Sequence, residues 1–116
     1  PGDYDSSGTV YAKIYFTQAG NTTASQTIIL DIATGCSSTT DDPSFNTAQA
    51  FATATTTATA NTPFTETLSG VTMTGCSAGG NMNVQISRSS SDTATTSPNV
   101  YWVSITFPRR PVNQAD

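Results

Sequence analysis

The chain has no histidine, and only 4 of its 116 residues are Lys or Arg. Without histidine the commonest general base is missing, which counts against acid–base catalysis. Two cysteines with no histidine cannot complete a structural zinc site. Four cations in a chain of net charge −4 do not supply the clustered positive charge that counterion release from a phosphate backbone requires. Arg109–Arg110 is the one adjacent pair, so nucleic acid is not an expected partner. No apolar run approaches the ~18 residues of a membrane helix, and membrane insertion is not expected either. Charged residues are 10% of the chain, against roughly 25% in ordinary globular proteins. That scarcity argues against a disordered chain, which stays expanded through high net charge. The sequence opens at Pro1-Gly2 with no Met and no legible signal peptide, as expected of a processed chain or part of a longer one.

Ser and Thr fill the gap, at roughly a third of the residues, well above average usage. Threonine suits strands, because its branched Cβ fits a pleated surface and its hydroxyl can face water. From Thr9 to Thr17 the chain alternates strictly, with Val10, Ala12, Ile14 and Phe16 on one face and Tyr11, Lys13 and Tyr15 on the other. That period of two predicts a half-buried strand. Thr27 to Ala33 repeats the pattern with Ile28, Leu30 and Ile32, and places Asp31 on the solvent side. Thr34 to Phe45 reads as a long loop, with a turn at Asp42-Pro43. Ala48 to Ala60 alternates Ala with Thr or Phe; Ala makes a helix the competing reading, but the dense β-branched run favours a long, flat strand, whole or broken, with Ala against a close surface.

Phe64 to Thr74 alternates again, with a phase reset after Ser69-Gly70 that suggests a bulge or a turn between two short strands, and Gly75 to Gly80 is a loop. Asn81 to Arg88 is a strand with Met82, Val84 and Ile86 inward, followed by a polar loop to Pro98. Val100 to Phe107 puts Tyr101, Val103, Ile105 and Phe107 on one face and Val100 and Trp102 on the other. A strand apolar on both faces is central in its sheet or packs on a partner. With no helical period, the expected fold is all-β: one antiparallel β-sandwich or jelly roll of about seven or eight strands spanning residues 1–116.

Cys36 and Cys76 stand 40 residues apart, each after a glycine. A disulfide between them is the favoured reading, worth about 3–4 kcal/mol for such a loop; two small buried thiols are the alternative. The acidic residues are scattered. Glu66 and Asp31 are the one pair that could face each other as glycosidase carboxylates, and hydrolysis is not expected. Asp3-Tyr4-Asp5-Ser6-Ser7-Gly8 has the opening of a calcium loop, but the closing carboxylate position is Ile14. An entry turn is therefore expected there, and a solvated loop at Asp41-Asp42, with no metal and no cofactor. Asn21-Thr22-Thr23 is a formal glycosylation sequon. Tyr11, Tyr15 and Trp102 could form a sugar-stacking row, although aromatics serve more often as core or interface, and no simple sugar ligand is expected.

Three stretches carry a resemblance: PGDYDSSGTVYAKIYFT at the start, the alternating Ala/Thr segment running into GCSAGG, and NMNVQISRSSSDTATTSPNVYWVSITF at the end. In order and spacing they resemble a β-sandwich domain of tailed-phage virion structural proteins of the decoration, head or tail-tip type. Gly80-Asn81 stands where that family usually has Gly-Asp, and Tyr101-Trp102-Val103 replaces a Leu-x-Gly step. The resemblance implies a non-enzymatic virion protein that acts through subunit contacts and surface display. It implies a homo-oligomer, a trimer for preference, bound to other virion subunits, with a host-surface glycan as a further partner. Tyr11, Tyr15, Tyr101, Trp102 and Phe107 are the candidate interface residues, because large aromatics dominate association energy. A carbohydrate-binding module of a secreted protein and a subunit of an extracellular filament are the alternatives.

Overall fold

The structure, a computed structural model, describes residues 4–19, 25–37, 44–78, 80–95 and 97–109. Pro1-Gly2, Asp3, the Asn21-Thr22-Thr23 sequon, Asp41-Asp42 and Arg110 lie outside the described residues. The described residues form an all-β domain of eight strands, all pairings antiparallel, with no helix.

The alternating run at the start becomes β1 (Tyr11–Gln18), with Val10, Ala12, Ile14 and Phe16 all buried. It is the centre of a three-stranded sheet, flanked by β6 (Pro63–Ser69) and β8 (Pro98–Thr106). The second sheet has β3 (Leu30–Ser37) between β4 (Gln49–Ala50) and β7 (Asn81–Arg88). A ribbon of β2 (Thr27–Ile28) and β5 (Ala54–Thr55) completes it. Between the layers Ile14 and Phe16 meet Ile28, Leu30, Ile32 and Phe51 in one apolar cluster, and Phe64 stacks on Phe16 at 5.4 Å. This is the two-layer burial that alternating strands require.

The expected single strand over 27–33 is divided at Ile29, yet Ile28, Leu30 and Ile32 keep one buried face across the break. β3 then runs on through Ser37, where a loop is expected from Thr34, because its ladder with β7 continues through Cys36↔Met82 and Ser37↔Asn81. Gly35 permits this: a Cβ there would stand 2.5 Å from the carbonyl oxygen of Ser44, on the returning chain. The long strand expected over 48–60 shrinks to β4 and β5. That segment crosses from the β3 sheet to the β2 ribbon, with Phe51, Ala54 and Thr56 buried and Ala48, Ala50, Ala52 and Ala58 exposed. After β6 the chain turns at Gly70, whose φ of 82° a side chain would strain, and both Gly70 and Val71 donate N–H bonds to the Val10 carbonyl. The second short strand expected directly after Gly70 does not form: Val71 to Met73 pair with no strand.

Val84 is exposed, although inward placement is expected, because β7 lies at a sheet margin whose inner face is only partly covered. β8 is also marginal and not central. Its register against β1 shifts between Tyr15 and Phe16, so that Tyr101 falls out of step with Val103 and Ile105 and is 62% exposed. A bulge of this kind moves a side chain across the sheet. Cys36 and Cys76 are joined, with Cα atoms 5.0 Å apart, and the bond ties β3 to the loop after β6.

Candidate functional site

The core takes one face of the β6-β1-β8 sheet and leaves the other to solvent. Three cross-strand rows make up that outer face: Ser69, Tyr11 and Thr106; then Thr67, Lys13 and Ser104; then Thr65, Tyr15 and Trp102. Tyr15 stacks on Trp102 with centroids 5.8 Å apart and planes at 11°, and tilts against Tyr101 at 5.6 Å. Tyr11 and Trp102 are 51% and 46% exposed. Exposed aromatics gathered on one face of a small domain are the usual mark of an interaction surface. Tyr11 and Tyr15 are four residues apart, roughly 13 Å at the usual strand rise. Between Tyr11 and Trp102 lies a cleft of about 550 Å³, lined by Lys13 and by Thr67, Ser69, Ser104 and Thr106.

Of the residues singled out in the sequence, Tyr11, Tyr15, Tyr101 and Trp102 come together on this face. Phe107 does not: it lies half-buried against the core, edge-on to Tyr4 at 5.7 Å. Lys13 was not singled out, nor were the four hydroxyl residues around it. The available signal was Lys13 itself, the chain's single lysine, set between two tyrosines in the alternating run. Among the described residues no carboxylate pairs with it; the ion pair seen is Arg88–Asp92 at 2.6 Å.

The acidic candidates are dispersed. Glu66 pairs in register with buried Ile14 and so points to the inner side of its sheet, where burial pushes its carboxyl pKa up. Asp31 alternates with buried Leu30 and Ile32 and so points away from the core, on the other sheet. The two do not face a common site. Asp5 accepts bonds from the Ser7 N–H at 2.9 Å and the Ser7 hydroxyl at 2.6 Å, closing an entry turn that packs beside Pro108. Among the described residues no three His, Cys, Asp or Glu side chains cluster where a metal could be held. Comparison with known proteins adds no relative: no family model, no curated protein and no solved structure matches this chain.

Proposed function

We propose that the chain is a non-enzymatic structural module of a tailed-phage virion, a capsid decoration or a head or tail surface protein that acts through subunit contacts and surface display. The particle is suggested by the sequence resemblance. The contact role rests on one observation, the character of β8. It is the longest strand described, lies at the margin of its sheet, and contains no charged residue from Pro98 to Thr106. Sheet margins that must stay unpaired are normally guarded by charge, proline or a covering segment. Both marginal strands begin on a proline, Pro63 and Pro98, but β6 has a further guard in the inward-pointing Glu66. β8 has no such charge, and among the described residues no strand pairs with its outer edge, beside which Val100 and Tyr101 are exposed. A homo-oligomer, a trimer on the resemblance, would cover this margin.

Immunogold electron microscopy of particles released by the producing cells tests the assignment. Antibody raised against this chain is expected to decorate tailed particles at regular positions. Purified particles without label, with the chain confined to the soluble fraction, would remove the virion reading.

A further inference from the structure

The cleft beside β8 is a separate feature of the same face. We infer that it is a binding site for an acidic saccharide, a short oligosaccharide with a carboxylate-bearing ring over Lys13. Its volume, about 550 Å³, falls within the roughly 300–1,000 Å³ of ligand pockets. Tyr11 closes one end and Trp102 the other, so two exposed aromatic rings stand ready to stack on the apolar faces of sugar rings. Four neutral hydroxyls, from Thr67, Ser69, Ser104 and Thr106, surround the space between them. A hydroxyl both donates and accepts, which suits a polyol better than an apolar peptide.

Lys13 decides the charge of the ligand. Its register partners are Thr67 and Ser104, so it stands mid-cleft in the central strand, and among the described residues no carboxylate neutralises it. A lone ammonium among hydroxyls selects one carboxylate on a sugar. It is too little for a polyphosphate backbone, whose affinity needs several cations. Edge-to-edge contacts at β8 extend the sheet sideways and leave this outer face open, so the inference deepens the display role and rests on the virion reading only for its biological setting.

The test uses the whole chain and isothermal titration with a galacturonate tetrasaccharide and its neutral galactose counterpart. The acidic ligand is expected to bind at least ~10-fold tighter than the neutral one, about 1.4 kcal/mol. Lys13→Gln should erase that preference, while Tyr11→Ala weakens both ligands. The preference should also shrink as salt is raised. Equal affinity for the two ligands, no binding of either, or a preference that survives Lys13→Gln would each overturn the inference. Loss of self-association in Lys13→Gln would assign the cleft to a second copy and overturn it as well. Particle labelling is read independently, so failure of the saccharide and failure of the virion assignment are told apart.

Discussion

Gln18 closes β1 with a side chain at 0% exposure, and its amide is fully engaged. Nε2 donates to the carbonyls of Thr57 at 2.9 Å and Thr59 at 2.5 Å, while Oε1 accepts from the Thr57 N–H at 3.1 Å. One side chain thereby fixes the loop that carries the chain from β5 to the left-handed turn at Asn61, φ 62°. A buried polar group left without its partner costs about 1–3 kcal/mol. Gln18→Leu, which strands the loop's carbonyls and N–H together, is expected to lower stability by about 2–3 kcal/mol in urea unfolding, with the slope unchanged. Gln18→Glu should cost as much, because a carboxylate cannot donate to two carbonyls. Wild-type midpoints in both variants would show the amide to be dispensable. None of this was legible in the sequence, where Gln18 lies just past the alternating run that ends at Thr17. The aromatics were legible only in part. Tyr11, Tyr15 and Trp102 follow simple alternation, whereas Tyr101 changes side through a one-residue register shift that no local pattern announces.

At the scale of elements, the strands with clean alternation, β1, β6 and β7, were legible because each has one face in a shared core. β3 was not legible past Thr34, since Gly35 and Cys36 look like turn residues until their partners on β7 are known. The Ala/Thr segment misleads for a related reason: its residues pair alternately with β3 and β2, so its apparent continuity is shared between two sheets. Side chains hold these short elements in place of long ladders. Gln49 donates to the Gly70 carbonyl at 3.0 Å and accepts from the Thr72 N–H at 2.7 Å, and the Thr34 hydroxyl donates to the Thr72 carbonyl. The Cys36–Cys76 bond fastens the same loop to β3 across 40 residues. Closing a loop of that length in the unfolded chain is worth about 4 kcal/mol in the chain-entropy description. Unreduced, denatured protein should show no reactive thiol. Reduction, or Cys36→Ser with Cys76→Ser, should lower the melting temperature by on the order of 10 °C or more. An unchanged melting temperature after complete reduction would mean that the hydrogen bonds alone anchor the loop.

For the molecule as a whole, the two margins of the β6-β1-β8 sheet set the expected behaviour. Both strands start on a proline, but β6 has an inward carboxylate, whereas β8 has an uncharged edge that no strand pairs among the described residues, with Val100 and Tyr101 exposed beside it. With charged residues at 10% of the chain, little long-range repulsion opposes the meeting of two copies beyond the net −4. Assembly through β8 would bury this strip, and any contact made only by the folded chain stabilises it by mass action. At 100 times the dissociation constant that linkage is worth about 2.7 kcal/mol. The melting temperature should therefore rise with protein concentration, by roughly 10 °C between the micromolar and the high micromolar range if the dissociation constant is about micromolar. Sedimentation should show one larger species over the same range. Tyr101→Ser removes the exposed ring beside that edge without touching the core, since Tyr101 is 62% exposed. In that variant the melting temperature should lose its dependence on concentration and the larger species should disappear, while the dilute-limit stability stays within about 0.5 kcal/mol of wild type. A wild-type chain that remains monomeric at high concentration, with a concentration-independent melting temperature, would show that the β8 edge is tolerated bare. The contact role proposed for it would then have to be abandoned.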